Sequence, residues 1–405
     1  MQLPKDFYKY NPDMREWFDK NAIIDYIRTE PLEIKAVPKG IIAPYAVLKQ
    51  NETAAGGVFD ANKQLVAESV FITRGTLLVS PDRATLDKQV GDNGGKIPHM
   101  GEDVIYCGSM PNHFGHILTD VLSYLWPLLD EKYRDKKIAF LLETEAARKF
   151  ANIVALFGIP LDRILFIHKP VSFDTVFVIQ PAQFYNFANR FPGKTHYVHP
   201  LMRDIYNRIV DKVRAGGGKP KFPIKKVYLS RTRLKAGIMT FGEKSLEGIF
   251  AKNGYTVIYP ETMSFADQIR VVMDADSLAC VQGTLLHFSM FMRDGAELLV
   301  FERGHMEGNG RQCALNQLKK INATYISASR DVWKYSTTQQ NFCPHMVGDT
   351  PFTRQFFKDN NFIFDEKDFG FDYLEYLDYI VDLGRASNFD MHAQLTDRAR
   401  KFEKK

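Results

Sequence analysis

The sequence contains few cysteines, and their spacing argues against the common small zinc and disulfide motifs. Cys107, Cys280, Cys313 and Cys343 are scattered along 405 residues without a C-x-x-C pair. Paired cysteines at short spacing are the usual signature of zinc sites and disulfide frameworks. We therefore expect a protein of a reducing compartment with neither feature.

Long apolar runs are also missing. No window reaches the roughly 18 uninterrupted apolar residues that a membrane-spanning helix needs. The first residues, Met1 to Asp6, lack the apolar region of a secretory signal peptide. These two absences predict a cytoplasmic protein without a membrane span.

The charge balance shows no sign of nucleic-acid binding. The formal net charge is only +5, and no stripe of alternating basic and aromatic residues is present. Basic residues do concentrate between Lys219 and Lys235. Such a local patch suits either a phosphorylated small molecule or an anionic membrane surface. Peripheral attachment at the inner membrane face therefore stays open beside a cytoplasmic location.

The length suits two domains, and a glycine- and proline-rich stretch separates them. Ala215 is followed by three glycines and then by Pro220 and Pro223, which is the clearest linker signal in the chain. We predict an N-terminal domain over residues 1–215 and a second domain over 220–345. Residues 346–405 are expected to form a helical extension that packs back on the N-terminal domain.

Strands and helices alternate with short connections, which predicts an α/β fold. The predicted strands include Lys137–Leu142, Lys226–Ser230, Thr256–Tyr259, Ser277–Val281 and Ala296–Phe301. The predicted helices include Glu145–Phe157, Tyr197–Val213, Glu243–Asn253 and Leu285–Met292. This order indicates a parallel sheet covered on both faces, and such sheets bind ligands at the carboxyl ends of their strands.

A polar cluster opens an otherwise apolar segment between Asn112 and Asp120. If Phe114–Leu125 is helical, His116 and Asp120 share one face, and His113 lies one turn earlier. Three titratable groups in one place are typical of a catalytic helix start. Two alternatives stay open: a pair of core histidines, and a metal site built from the same three residues without a fourth ligand.

Four predicted strand ends in the second domain carry polar residues. They are Ser230, Arg231 and Arg233; Glu261 and Thr262; Gly283, Thr284, Leu285 and His287; and Glu302 to His305. A guanidinium fork such as Arg231 can hold two phosphate oxygens, although a surface arginine would fit the same loop. Glu243 is a candidate salt-bridge partner for Arg231.

The glycine turn after the strand Ser277–Val281 is a second candidate anion site. Gly283 would let a ligand approach the backbone, and the amides from Thr284 onwards would form an anion-binding helix start. A plain turn with Thr284 as cap is the alternative. His287 fits a core histidine slightly better than a ligand-binding role.

The sequence resembles the family 61 glycosyltransferases, whose bacterial members are often labelled capsular polysaccharide biosynthesis proteins. The resemblance rests on segments in the same order and at similar spacing. These are Asn112–Asp120, Tyr228–Arg231, Gly254–Ile258, Pro260–Ile269 and Ala275–Glu302.

This resemblance implies a GT-B architecture, in which two Rossmann-like domains face each other across a cleft. It also implies an inverting, metal-independent transfer of a hexose or pentose to a hydroxyl of a surface polysaccharide or glycan. The nucleotide-sugar donor, which we expect to be UDP-linked, is held by the C-terminal domain, and no other cofactor is implied. Arg231 and the amides after Gly283 match the diphosphate clamp, with Glu261 and Thr262 near the nucleoside.

The identity of the catalytic base stays open at this point. Relatives carry a carboxylate immediately after the histidine that corresponds to His116, where this chain has Ile117. Either Asp120 or His116 can therefore remove the proton from the acceptor. Two other functions also fit the sequence: a non-catalytic sugar-phosphate or glycan-binding module, and a phosphotransferase or phosphatase that uses a basic cleft with His113 and His116.

Overall fold

A computed structural model gives the fold of the chain in two compact units. We call residues 25–217 the N-terminal unit, and residues 1–24 together with 218–405 the C-terminal unit. Within the described residues, no helix is both long enough and apolar enough to cross a membrane. The described residues are 9–12, 26–49, 52–54, 56–70, 78–79, 81–184, 196–217, 224–234, 239–304, 310–330, 344–370 and 372–387.

The N-terminal unit contains twelve strands and four α-helices in the part that the structure describes. The strands are β1 (Ile34–Pro38), β2 (Ile41–Ala43), β3 (Ala46–Lys49), β4 (Glu52–Ala54), β5 (Gly57–Phe59), β6 (Leu78–Val79), β7 (His99–Met110), β8 (Lys137–Leu142), β9 (Ile164–Phe166), β10 (Val171–Ile179), β11 (Gln183–Phe184) and β12 (Tyr197–Val198). The helices are α1 (Arg83–Asp92), α2 (Phe114–His116), α3 (Ala151–Ala155) and α4 (Leu201–Ala215).

A seven-stranded mixed sheet forms the centre of this unit. Its order is β5-β2-β10-β7-β8-β9, with β1 also paired to β10. Strands β10, β7, β8 and β9 are parallel, whereas β1 and β2 run antiparallel to β10. Val104, Phe173 and Val176 are fully buried in its core. Because β7 is central, the polar cluster that follows it leaves from the middle of the sheet.

The C-terminal unit carries the second set of elements. The strands are β13 (Lys226–Leu229), β14 (Thr240–Phe241), β15 (Thr256–Ile258), β16 (Ser277–Val281), β17 (Glu297–Glu302), β18 (Asn322–Ser327) and β19 (His345–Met346). The α-helices are α5 (Glu243–Lys252), α6 (Phe265–Val272), α7 (Gly310–Leu318), α8 (Pro351–Asp359) and α9 (Tyr373–Ser387). Shorter 3-10 turns join several of them.

The main sheet of the C-terminal unit is entirely parallel, which confirms the predicted α/β class. Its order is β15-β13-β16-β17-β18, so that the chain order reads 2-1-3-4-5 across the sheet. The direction of winding reverses between β13 and β16. Loops leave to opposite faces at such a reversal, and the crevice at the carboxyl ends of the two strands is where parallel sheets bind ligands.

Among the described residues, Tyr10 and helix α8 pack in the C-terminal unit, which differs from the prediction. Tyr10, Phe356 and Phe357 lie in the same buried cluster as Phe250 and Phe301, on the parallel sheet. The 346–405 extension was expected to pack back on the N-terminal domain, and the first residues were assigned to that domain. The difference arises from hydrophobic packing, because Phe356 and Phe357 form an apolar face of α8 that is buried against this sheet.

A local prediction also changed. The helix predicted from Tyr197 begins at Leu201. Pro200 immediately precedes that helix, a position that proline favours. Residues 218–223 of the predicted linker, His305 and residues 388–405 of the predicted extension lie outside the described residues.

Candidate functional site

The polar cluster of the N-terminal unit forms a close histidine–carboxylate pair. His116 Nδ1 lies 2.5 Å from Asp120 Oδ2. The side chains are 22% and 19% exposed, so the pair is largely enclosed and still reachable. The predicted sharing of one helix face is therefore confirmed. We call these two residues the His116–Asp120 pair.

The helix that carries the pair is not the regular α-helix that the sequence predicted. After α2 it widens into a π-helical turn at Ile117–Val121 and then tightens into a 3-10 turn at Leu122–Tyr124. The Thr119 hydroxyl donates to the carbonyl of Gly115 at 3.0 Å. Such π turns are rare and occur frequently at functional sites.

A buried tyrosine on another helix forms a hydrogen bond to the backbone of this π-helical turn. The Tyr206 hydroxyl, on α4, donates to the carbonyl of Leu118 at 2.8 Å. The Ser123 hydroxyl donates to the carbonyl of Asp120 at 2.5 Å. Carbonyl groups that a regular helix would satisfy internally thus have side-chain partners. These contacts fix the backbone on both sides of Asp120.

His113 begins the helix and lies against His116. Its Nδ1 accepts a hydrogen bond from the backbone N–H of His116 at 3.4 Å, which makes it the N-cap. The two imidazole centroids are 4.6 Å apart. His113 therefore helps to orient the start of the helix, in addition to the chemical role that the sequence suggested for it.

The contact between His116 and Asp120 sets the direction in which the imidazole can act. A carboxylate at Nδ1 holds the proton on that nitrogen and leaves Nε2 as the acceptor. The same carboxylate stabilises the imidazolium that forms when Nε2 takes up a proton. This geometry favours His116 as a general base and Asp120 as the group that positions it.

At the carboxyl end of the parallel sheet, Arg231 and Gly283 come together. Arg231 follows β13 and Gly283 follows β16, the two strands at which the winding reverses. A Cβ atom on Gly283 would lie 2.5 Å from Arg231 Nη1, and the φ of Gly283 is +146°. This conformation is essentially restricted to glycine. The backbone conformation therefore favours glycine at this position, and a side chain there would displace the Arg231 guanidinium.

A buried carboxylate lies beneath Arg231. Glu243 is 1% exposed, and its Oε1 accepts the backbone N–H of Arg231 at 2.9 Å. Burial raises the pKa of Glu243 to about 7, and this shift is opposed by the Arg231 N–H and by the charges of Arg231 and Arg303. Burial also lowers the pKa of Arg231, against the charge of Glu243. The sequence predicted a salt bridge between Glu243 and Arg231, and the structure shows a hydrogen bond from the Arg231 main chain to Glu243.

A second carboxylate organises the loop after β13. Glu247 accepts hydrogen bonds from the hydroxyls of Ser230, Thr232 and Tyr259 at 2.7, 2.8 and 2.8 Å. The Arg233 guanidinium lies 3.6 Å from the centroid of the Tyr259 ring. The Ser230 hydroxyl, fully buried, is therefore used to shape the loop, while the Arg233–Tyr259 stack stands at the same sheet edge.

Glu261 and Thr262 lie on the next strand end and are exposed. They belong to a 3-10 turn at Pro260–Thr262 that follows β15. The Thr262 hydroxyl donates to the carbonyl of Tyr259 at 2.8 Å. The structure places these two residues beside the Arg233–Tyr259 stack, at the edge where the sequence predicted nucleoside contacts.

The glycine turn leads into a 3-10 helix, Thr284–Phe291, where the sequence predicted an α-helix. The Leu286 amide donates to the carbonyl of Gly283 at 3.2 Å, so fewer amides point forward than expected. Thr284 and Leu285 remain at the helix start. His287 lies within a polar network: its Nδ1 is 2.6 Å from the amide oxygen of Gln312, which supports the core interpretation.

One residue at this edge was absent from the predicted binding set. Arg303 follows β17, and its Nη2 lies 3.4 Å from the position of a Cβ on Gly283. Its Nη1 donates to the Thr240 hydroxyl at 2.9 Å, and its backbone N–H donates to Gln282 Oε1 at 3.2 Å. The signal in the sequence was its place directly after a buried strand. We call Arg231, Gly283 and Arg303 the arginine–glycine cluster.

Within the residues that the structure describes, no group of three or more His, Cys, Asp and Glu side chains is arranged to hold a metal ion. The sequence offered His113, His116 and Asp120 as an alternative set of metal ligands. In the structure, His116 contacts Asp120, and His113 accepts a hydrogen bond at the start of the helix.

The fold and these sites define an α/β protein with a histidine–carboxylate pair on one unit and an arginine–glycine cluster on the other. The sequence model of the family described as Glycosyltransferase 61 matches residues 114–299. Over this range, which is somewhat less than half of the chain, the sequence is similar to that family. The matched range includes His116, Asp120, Arg231 and Gly283. A comparison with curated proteins found no match.

Proposed function

We propose that this protein is a glycosyltransferase that moves a sugar from a nucleotide-sugar to a hydroxyl of a glycan acceptor. The observation that carries the proposal is the His116–Asp120 pair, joined at 2.5 Å on a π-helical turn inside the segment that matches the family. An imidazole that a carboxylate orients is suited to remove a proton from a hydroxyl group.

The proposed reaction is a single displacement with inversion. His116 Nε2 takes the proton of the acceptor hydroxyl while the hydroxyl oxygen forms a bond to the anomeric carbon. The bond between that carbon and the donor phosphate oxygen breaks, and the nucleoside diphosphate leaves with the electron pair. Asp120 stabilises the imidazolium that results, because a carboxylate beside Nδ1 favours the charged ring.

On the donor side, the proposal assigns the departing phosphates to the sheet edge of the C-terminal unit. Arg231 supplies fixed positive charge, which lowers the free energy of a leaving group that gains negative charge. Gly283, with Thr284 and Leu285 after it, lies at the same edge. In this proposal the arginine charge takes the role that a metal ion has in other transferases.

Several finer features belong to the same proposal and follow from the family resemblance. They are the GT-B arrangement, a UDP-linked donor, a hexose or pentose as the transferred sugar, and nucleoside contacts from Glu261 and Thr262. We further propose a surface polysaccharide acceptor and a cytoplasmic location with peripheral membrane attachment. These features set the order in which donors and acceptors are tested.

The test is the release of nucleotide from a panel of UDP-, GDP- and CMP-sugars, with and without hydroxyl acceptors. We expect His116→Ala and His116→Gln to lower turnover about 10²- to 10⁴-fold, the range for loss of a general base. Asp120→Asn should lower it less than His116→Ala and shift the pH profile, because Asn still bonds Nδ1 without stabilising the imidazolium. Full activity of both His116 variants would contradict the assignment of the base.

The chain offers a matched control in the same unit. His99 and Asp174 form a second histidine–carboxylate pair at 3.3 Å, exposed and at the opposite end of β7. His99→Ala removes an imidazole beside a carboxylate without touching the His116–Asp120 pair. It should retain the activity of the wild-type protein. Parallel thermal unfolding of all variants shows whether any loss of turnover comes from loss of fold.

A further inference from the structure

The sheet edge that carries the His116–Asp120 pair continues onto the next two strands of the N-terminal unit. Strands β7, β8 and β9 are parallel neighbours, so their carboxyl ends lie side by side. The ring centroids of Phe114, on the helix of His116, and Phe150 are 6.4 Å apart. Phe150 ends a 3-10 turn, Glu145–Phe150, that follows β8. A ring contact therefore joins the helix of His116 to the end of the next strand.

Arg148, on that 3-10 turn, is held in one orientation by three neighbours. Its Nε and Nη2 donate to Glu145 Oε1 at 3.0 and 2.6 Å. Nη2 also lies 2.9 Å from Nε2 of His168, and the guanidinium carbon lies 4.6 Å from the ring centroid of Phe166, at the end of β9. A simple surface ion pair lacks such additional contacts. We call Glu145, Arg148, Phe166 and His168 the Arg148 cluster.

The Arg148 cluster is accessible and close to electrically neutral. The side chains of Arg148 and Glu145 are 46% and 65% exposed, and their opposite charges balance. Because a guanidinium can only donate, His168 Nε2 accepts its hydrogen bond, and the imidazole is neutral with its proton on Nδ1. An anionic ligand would gain little from this arrangement. A neutral ligand with many hydroxyl groups would find both donors and acceptors in fixed positions.

The cluster combines polar groups and aromatic faces in a way that suits a sugar ring. Among the described residues, Nη1 of Arg148 makes no hydrogen bond, and Glu145 Oε2 accepts only a longer one, at 3.2 Å. Phe114 and Phe166 are partly exposed, so that the C–H face of a sugar can pack against them. Ligand sites typically join apolar faces to a few polar groups, and polar groups that are already fixed lose little freedom on binding.

We propose that the Arg148 cluster is a sugar-binding subsite for a neutral oligosaccharide, beyond the sugar whose hydroxyl group reacts at His116. This inference rests on the proposed function, because it takes the acceptor hydroxyl to lie at His116. It identifies the acceptor as an oligosaccharide and gives the direction of the bound chain, from the end of β7 towards the end of β9. Contacts with a second and third sugar would let the protein select acceptors by their length.

The test compares sugars that differ only in length. Glucose, xylose, mannose and galactose, each beside its linear trisaccharide, are titrated into the full-length protein and followed by saturation-transfer NMR. At least one trisaccharide should bind about tenfold or more tightly than its monosaccharide. Arg148→Ala should lower that ratio of affinities about tenfold, as the loss of charged hydrogen bonds predicts.

The chain offers a matched control on the same strand. Arg134 and Glu131 are also an exposed pair three residues apart, at 3.6 Å, but they precede β8 and lie at its amino end. Arg134→Ala should leave the ratio unchanged.

Two further variants separate planar hydrogen bonding from charge and from folding. Glu145→Gln keeps a planar group with an acceptor oxygen and should retain most of the trisaccharide binding, whereas Glu145→Ala should lose it as Arg148→Ala does. If Arg148→Ala does not fold, Arg148→Lys, which keeps the charge without the planar fork, decides the outcome.

The results distinguish this inference from the proposed function. If no trisaccharide binds more tightly than its monosaccharide, or if the Arg148 variants leave the ratio unchanged, the inference is overturned even where sugar transfer is found. Tighter binding of trigalacturonate than of every neutral trisaccharide would overturn the assignment of a neutral ligand. Trisaccharide binding that depends on Arg148, without use of any nucleotide-sugar, supports the subsite and contradicts the transferase proposal.

Discussion

At the scale of single residues, two groupings matter most: His116 with Asp120, and Arg231 and Arg303 with Gly283. The spacing of His116 and Asp120 was sufficient to predict that they share a helix face, because side chains four residues apart are neighbours on a helix. The convergence of Arg231 and Arg303 on Gly283 could not be predicted in this way. It depends on the order of three strands that are far apart in the sequence, and no local pattern encodes that order.

Gly283 gives the first residue-level prediction. Gly283→Ala places a methyl group 2.5 Å from Arg231 Nη1 and forces a residue with a side chain into a φ of +146°. We expect a loss of about 1–3 kcal/mol in the free energy of unfolding and a displaced guanidinium. Denaturant unfolding and pyrophosphate titration measure the two effects.

A second glycine in the same unit provides the control. Gly248 lies in α5, and a Cβ there meets nothing within 4 Å. Gly248→Ala should stabilise the protein by about 0.5–1 kcal/mol and leave pyrophosphate binding unchanged, because alanine favours the helix. Unaltered stability and unaltered pyrophosphate binding in Gly283→Ala would show that this turn tolerates a side chain.

Glu243 gives a prediction about pH. Its pKa is raised by burial to about 7, so the folded protein holds the proton more tightly than the unfolded chain does. The stability linked to this group is therefore fully present below the ordinary carboxyl range and is lost as the pH rises towards 7. Glu243→Gln should remove this loss and make the protein more stable than wild type above pH 7, by on the order of 1–3 kcal/mol.

The measurement is the free energy of unfolding of both proteins between pH 5 and pH 8, in steps of about half a unit. Glutamine keeps an oxygen that can accept the Arg231 backbone N–H, so the fold of the loop is retained. Glu366→Gln, at a side chain that is 85% exposed, is the control and should change the free energy of unfolding by less than about 1 kcal/mol. A constant difference between Glu243→Gln and wild type at all pH values would contradict the assignment.

At the scale of elements, the buried strands were predicted well and the connections less well. Strands β8 and β16 have the predicted bounds, because each is a continuous apolar run between polar or turn residues. The π turn at Ile117–Val121 was missed, since it arises from side-chain contacts such as Tyr206 to the Leu118 carbonyl. Strand β18 was missed because buried and polar residues mix along it at the sheet edge.

Helix α8 carries the prediction at this scale. Phe357 is fully buried among the aromatic rings of the C-terminal unit, against Phe301 and Phe250. Phe357→Ala should lower the free energy of unfolding by about 3–5 kcal/mol, because it leaves a cavity in a close-packed core. Denaturant unfolding gives the value. Ile363→Ala, at a residue that is 72% exposed, should change it by less than about 0.5 kcal/mol.

The outcome for Phe357 also bears on which unit the C-terminal segment belongs to. If the segment stabilises the C-terminal unit, Phe357→Ala should lower the temperature at which that unit unfolds. Pyrophosphate binding should be unchanged below this temperature and lost above it. A change in stability of less than about 1 kcal/mol would indicate that α8 is not part of this core.

At the scale of the whole molecule, the α/β class followed from the alternation of strands and helices, whereas the assignment of Tyr10 and α8 to a unit did not. Tyr10 and α8 join the C-terminal unit through contacts between residues more than 300 positions apart, such as Tyr10 with Asp359 and Phe356. Local periodicity predicts that such segments need an apolar partner, but it does not identify the partner. The His116–Asp120 pair lies on the N-terminal unit, and the arginine–glycine cluster lies on the C-terminal unit.

The most direct test of the central claim is proton NMR of the full-length protein with an α-linked UDP-sugar and a hydroxyl acceptor. We predict that the anomeric signal of the donor disappears while UDP accumulates. A new anomeric signal of the opposite configuration should appear at the same rate, and His116→Gln should suppress it. A donor that stays intact across the nucleotide-sugar panel, or a product that retains the donor configuration, would contradict the account.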